Sequence, residues 1–265
     1  MASEDQGVPP AMWPVETRAT GTNVLDLGAK PPMEDESSRE EIRRMAEIGW
    51  LSYAELDDLK IIHPGMRNPA VLNAFRELRT NLYQLAAGKN NFVMLVTSIA
   101  PEGGSSLVSL NLGAVIALDE SKTSIVVDCN VYDPSLHRIL PIDPDYGLVD
   151  YLENITLDLK DIIYSTGVRR MRMIPVGSRR QPGTEFFTSS RMRRFLLELR
   201  DRYRDRYIVI DAPSLGTSAD ARILAELVDY VMLVVPYGKV SDAQLQASID
   251  AIGAEKLAGV IFNNC

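Results

Sequence analysis

Six short, nearly uninterrupted apolar runs constrain this chain most: FVMLV (92–96), SIVVD (124–128), MRMIPV (171–176), YIVID (207–211), YVMLVV (230–235) and GVIF (259–262). Hydrophobicity without alternation is the pattern of strands buried on both faces, as in parallel sheets. Between the runs lie LVSLNLGAVIALD, GLVDYLEN, SRMRRFLLELRDRY, ADARILAELV and DAQLQASIDAIG, each with apolar residues at helical spacing. A further amphipathic helix precedes the first run, with Leu72, Phe75, Leu78, Leu82 and Leu85 three or four residues apart. The alternation predicts an α/β fold in three layers, a mostly parallel sheet between helices. In such sheets ligands bind beyond the carboxyl ends of the strands, so the residues just after each run carry the functional information.

Composition narrows the setting. The chain has 265 residues, 46% of them hydrophobic, which suits one sizeable domain with an appendage. Residues 1–36 hold Pro9, Pro10, Pro14, Pro31 and Pro32 among many acids and no periodic pattern, the signature of a disordered tail. Residues 37–67 read as a short helical linker or docking segment, and the main domain spans 68–265. Within the linker, Ser38-Arg39-Glu40-Glu41 has capping-box spacing ahead of Ile42, Met45, Ala46 and Ile48, and Trp50 to Ile62 can carry a second helix. Residues 1–60 contain 13 acids against 6 bases, so nearly all of the net charge of −8 lies there. A nearly neutral body offers no electrostatic footprint for nucleic acid. Two cysteines, Cys129 and Cys265, are too few for a disulfide scaffold or a cysteine-ligated zinc site. No apolar stretch approaches about 20 residues and no signal-peptide order opens the chain, so the expected location is cytoplasmic. Any membrane association would come through a partner.

Four strand ends carry chemistry. After the first run comes TSIAPEGGSS (97–106), a glycine turn leading into a helix. Gly103 and Gly104 would let consecutive N–H groups face a phosphate, with the N–H groups of Ser105, Ser106 and Leu107 at the helix start beside them. The Ser106 hydroxyl would stand where the last position of G-x-x-x-x-G-K-[ST] ligates Mg²⁺. Asp128 and Asp211 each close an apolar strand, where a carboxylate can reach that ion or its waters. Asn263 and Asn264 end the last run with amides suited to the edge of a base. Each feature also has a plain structural reading: a glycine pair makes a tight turn, and an aspartate at a strand end caps the segment after it.

In order and spacing these segments resemble the bacterial tyrosine kinases, P-loop kinases that accompany polysaccharide co-polymerases in capsule and exopolysaccharide assembly. TSIAPEGGSSLVSLNL is similar to their TSxxPGEGKSTxxxNL loop, and VVDCNVYDPSLHRIL to their second acidic motif with its PSLHR extension. YIVIDAPSLGTSADARILAELVDYVMLVV resembles the family's Walker B strand, the loop after it and the next helix and strand. GLVDYLEN and PVGSRRQPGTEFFTSSRM are similar to two further segments, and NAFRELRTNL to an oligomerisation motif of which Arg76 and Arg79 remain. The likeness spans about residues 68–264. It implies a P-loop nucleoside-triphosphatase-like fold, ATP or ADP with Mg²⁺ as cofactor, Ser106, Asp128 and Asp211 near the metal, self-assembly through Arg76 and Arg79, and a membrane polysaccharide co-polymerase as partner. If the protein is active, Asp128 is the catalytic candidate. Division-site and partition ATPases share the wider fold but match PSLHR and the Arg-x-x-Arg helix less well.

The departures shape the functional expectation. Family register places Ser105 where the P-loop lysine stands, and serine supplies no charge to the β- and γ-phosphates. Asn130 replaces the second acid of the Asp-x-Asp motif, Asn73 replaces a glutamate, and Glu102-Gly103 reverses the family's Gly-Glu order. The tyrosine-rich tail of the active members is not in this sequence. Losing a charge that acts in the transition state costs roughly 10²–10³-fold in rate. The expectation is a degenerate kinase-like protein that regulates or scaffolds exopolysaccharide synthesis. The alternative is an atypical ATP-binding autokinase or ATPase whose nucleotide state controls oligomerisation. Elsewhere, the arginines of 191–206 alternate with Glu198, Asp201 and Asp205, as on a solvated helix face. His137 reads as structural, His63 as a lone loop residue, and Cys129 as a small buried filler.

Overall fold

The computed structural model describes residues 12–13, 50–87, 89, 91–140, 143–178, 185–202 and 205–264. The helix expected over Ile42–Ile48, most of the 1–36 tail and Cys265 lie outside the described residues.

Every apolar run forms a strand: β1 (Val93–Ser98), β2 (Thr123–Asp128), β4 (Met171–Ile174), β5 (Arg206–Asp211), β6 (Tyr230–Pro236) and β7 (Leu257–Asn263). A two-residue strand, β3 (Tyr164–Ser165), pairs antiparallel with β4 and was not legible as a run. The sheet order is β7-β6-β1-β5-β2-β4-β3, with every neighbouring pair from β7 to β4 parallel, and Met12–Trp13 pair antiparallel along the β7 edge.

Side-chain alternation sends the two halves of each strand into two cores. Met94, Val96, Val126, Val209, Met232 and Val234 pack with α2 (Pro69–Leu85) and α3 (Ser105–Ala117) on one face. Leu95, Ile125, Val127, Ile208, Ile210 and Leu233 point to the other face. There they meet α4 (Leu148–Glu153), α5 (Glu185–Thr188), α6 (Ser190–Arg202), α7 (Asp220–Leu227) and α8 (Asp242–Ile252). Strands buried on both sides need no polar alternation, which is why the runs are continuous. Three layers result, as the sequence predicts. The solvated-face reading holds for Arg193 and Arg194, which are exposed while Met192, Phe195 and Leu199 are buried; Arg191 instead lies 4.6 Å over the Tyr151 ring, Arg200 pairs with Asp229, and Arg206 is buried at the start of β5.

Residues 50–67 pack on the body. Ser52 caps α1 (Tyr53–Asp58) in a reciprocal box with Glu55, and Leu56, Ile61 and Ile62 enter the first core. The following loop lies against α3: Asn111 accepts from Ile62 N–H at 2.7 Å and donates to the Lys60 carbonyl at 3.0 Å. His63 lies in this loop, as expected, but it is not a lone residue there. It is 2% exposed, stacked on Tyr53 at 4.5 Å and paired through Nε2 with Asp57 at 2.9 Å. No side-chain periodicity announces that burial, because it depends on α1 folding back onto the body.

Candidate functional site

The strand ends converge as the topology requires. Parallel pairing puts β1 between β5 and β6, and β5 between β1 and β2. The loop after β1 therefore faces the ends of β5 and β2, where Asp211 and Asp128 sit directly opposite each other in register.

The glycine turn is built by close approach. A side chain at Gly103 would place its Cβ 2.7 Å from the Ser98 Cβ, so only glycine fits there. Gly104 takes φ +81°, the left-handed conformation that glycine adopts without penalty, and serves as the N-cap of α3. Glu102 also has a positive φ, +55°, an uncommon state for a residue with a side chain. The loop is anchored on both sides. The segment after β5 donates Leu215 N–H to the Ser98 carbonyl at 2.9 Å, and Asn263 Nδ2 donates to the Gly103 carbonyl at 3.0 Å. Asn263, read from sequence as a contact for a base, thus holds the back of the loop here. Ser105 and Ser106 open α3, and the N–H groups of its first turn face the cavity end.

Both aspartates are fully buried. Asp211 accepts from Ser106 Oγ at 2.7 Å and from Ser109 Oγ at 2.9 Å. Burial pushes its carboxyl up to about 7 against the pull of the two hydroxyls. Asp128 accepts from the N–H groups of Asn130 and Leu136 at 3.0 and 3.3 Å, and so also caps the loop that carries PSLHR. Burial, and then the charge of Asp211, raises its carboxyl well above the ordinary range. Cys129 is buried between these groups; burial and the neighbouring acids push its thiol up, which makes it an inert filler.

Above this pair opens a cavity of about 550 Å³, lined by the loop residues 101–106 together with Asn130, Tyr132, Asp133, Ser135, Ser214 and Thr217 among others. The structure brings Gly103, Gly104, Ser105, Ser106, Asp128 and Asp211 to one place, with Leu107 the next residue along the first turn of α3. Arg76 and Arg79 stand apart on α2; Arg76 is exposed, and Arg79 donates to the Val115 carbonyl at 2.9 Å. Sequence reasoning missed Ser109, although its spacing of three from Ser106 puts both hydroxyls on one helical face. It also missed Tyr132, Asp133, Ser214 and Thr217, which sit in loops where no periodicity marks them.

The donor set suits one half of a nucleotide site. A hydroxyl and two carboxylates at adjacent strand ends are hard oxygen ligands of the kind Mg²⁺ takes. The left-handed glycine turn and the α3 N-terminus suit phosphate oxygens. No lysine, arginine or histidine lines the cavity among the described residues, whereas Glu102 and Asp133 do.

The fold has known counterparts. No family model matches the sequence. The chain is 26% identical over 200 residues to the tyrosine-protein kinase Etk of Escherichia coli K12, covering 74% of this chain and 27% of that one. It is 24% identical over 202 residues to the tyrosine-protein kinase YwqD of Bacillus subtilis, covering 75% and 84%. It is also 24% identical over 199 residues to the succinoglycan biosynthesis transport protein ExoP of Rhizobium meliloti, covering 71% and 24%. The Etk kinase-domain structure superposes with a TM-score of 0.69 at 23% identity, over 82% of this chain and 87% of that one, which establishes the fold. The chain is thus similar in sequence to proteins named as bacterial tyrosine-protein kinases and in fold to the Etk kinase domain. The chain spans about a quarter of the length of Etk and of ExoP, and most of YwqD. Among the described residues no helix is long and apolar enough to cross a membrane.

Proposed function

We propose that this protein is a degenerate member of the bacterial tyrosine kinases, catalytically impaired, that regulates or scaffolds a membrane polysaccharide co-polymerase in exopolysaccharide synthesis. The observation that carries this reading is the charge of the cavity. The glycine turn and Ser106 line the cavity and Asp211 bonds Ser106 beneath it, yet the residue after Gly104 is Ser105 and no cation lines the described wall. A triphosphate entering here meets Glu102 and Asp133, with no cationic side chain among the described lining residues to neutralise its terminal oxygens. P-loop catalysis works almost wholly by positioning and electrostatic stabilisation, so this loss falls on the rate. Relatives named for tyrosine kinase activity and for succinoglycan transport support the polysaccharide context. Mg²⁺, if taken up, would be held by Ser106 with Asp211 and Asp128, where it would neutralise phosphate charge. In the protein's own chemistry, Ser109 and Ser106 orient the Asp211 carboxylate toward that position.

The second reading, an atypical ATP-binding autokinase or ATPase, draws on the same Ser106–Asp211 contact, since the metal-side groups remain assembled. Calorimetry with Mg-ATP and Mg-ADP separates the two. We expect binding weaker than submillimolar for the natural chain, and a gain of about tenfold or more, about 1.4 kcal/mol, for Ser105→Lys. Submillimolar binding accompanied by phosphotyrosine formation in the natural chain would overturn the impaired reading.

A further inference from the structure

The two edges of the sheet differ. At one end β3 has two residues, too short to template a further strand. At the other, β7 runs for seven residues, Leu257–Asn263, and its sequence LAGVIFN holds neither a charge nor a proline. One side of β7 pairs in parallel with β6. The other presents the outward-facing half of its N–H and C=O groups, a template for pairing with another chain. Lysine is the usual guard of such an edge. Here Lys256, just before the strand, is turned back onto the body, its Nζ donating to the Ala225 and Glu226 carbonyls at 2.8 and 3.0 Å. Side chains hold the strand extended: Leu257, Val260 and Phe262 pack on one core, Ala258 and Ile261 on the other.

Among the described residues only Met12 and Trp13 pair with this edge, antiparallel, opposite Ile261 and Val260. In sequence the pair is flanked by Pro10 and Pro14, which have no N–H to extend the ladder. Residues 14–49 separate it from the next described segment, and so long a connection gives pairing in cis only a modest effective concentration. A second copy offers more. Two identical edges related by a two-fold axis run antiparallel, the direction in which β7 already accepts Met12–Trp13, and they can pair along the whole strand. We infer that the β7 edge is a strand-addition surface for a second copy of this chain, shielded in cis by Met12–Trp13. The surface ends at Asn263, whose amide holds the Gly103 carbonyl, so the contact between copies lies beside the glycine loop.

The test uses the full chain with Met12→Pro and Trp13→Pro together, which removes both N–H groups that the shielding segment can donate. Hydrogen exchange is read at high dilution and sedimentation across a dilution series, with thermal unfolding as a control. At high dilution the outward-facing amide of the Val260–Ile261 pair should exchange about tenfold faster than in the natural chain. At higher concentration the variant should dimerise where the natural chain does not. Adding Gly259→Lys should return it to monomer: a Cβ at Gly259 meets only Met232, at 3.6 Å, so the charge reaches the edge without a clash. Should Gly259→Lys lower the thermal transition, Ala258→Lys replaces it. Adding Arg76→Ala should leave the dimer intact, which separates this edge from assembly through α2. Equal exchange in the natural chain and the proline variant overturns the inference. So does a proline variant that stays monomeric throughout, or a dimer that persists with the edge lysine.

Discussion

Asp211 shows what burial does to a single residue at this site. Its carboxyl is raised to about 7, so the folded protein binds a proton there that the unfolded chain releases near pH 4. Linkage sets the sign: the folded state holds more protons than the unfolded one, so stability is greatest below the unfolded value and falls as pH rises through 7. Asp128, raised in the same direction, adds to the slope. Denaturant unfolding in a metal chelator should therefore show the natural chain less stable at pH 8 than at pH 5.5. Asp211→Asn should flatten that difference; a slope unchanged by the substitution would place its origin elsewhere. Saturating Mg²⁺ should stabilise most at the alkaline end, where the carboxylates are charged. At this scale much was legible: strand-end aspartates and the glycine pair were readable from position alone. The Asn263 contact with the loop was not, since it joins residues 160 apart in sequence.

Among the elements, α3 joins the cavity to the N-terminal segment. Its first turn lines the cavity, and its middle holds that segment through Asn111. Asn111 is 3% exposed and makes three hydrogen bonds, to Ile62 N–H and to the Lys60 and Leu107 carbonyls. Truncating it leaves buried backbone groups without partners, each worth about 1–3 kcal/mol. Asn111→Ala is expected to cost about 2–3 kcal/mol in denaturant unfolding and to speed proteolysis between 50 and 67, while Asn111→Gln should only partly recover it. An equal proteolysis rate in Asn111→Ala and the natural chain would show that the segment is held by its apolar contacts alone. The helices and strands themselves were readable because each buries a continuous stripe or run. β3 was not, because two residues at a sheet edge carry no period.

Across the whole molecule, the two cores and the parallel order of the sheet bring the loop after β1 into line with the ends of β5 and β2. The same architecture separates the two arginines of the proposed assembly motif. Arg79 already donates to α3 within its own chain, whereas Arg76 is exposed on α2. Sizing should therefore distinguish them. Arg76→Ala should shift any oligomer toward monomer with unfolding unchanged, and Arg79→Ala should also lower stability by about 1 kcal/mol through the lost internal bond. A monomer in the natural chain and both variants would remove self-assembly through this helix.

The sequence by itself determined the α/β class, the places of six strands and most helices, and the strand-end acids. These come from local hydrophobic period and from residue chemistry at run ends. Only the tertiary structure decided that Asp128 and Asp211 lie in register, that Ser109 shares Asp211 with Ser106, that His63 is buried, and that Glu102 and Asp133 line the cavity with no cation among the described residues. Those facts depend on strand order and on loops folding across the sheet, and such long-range neighbours leave no periodic trace along the chain.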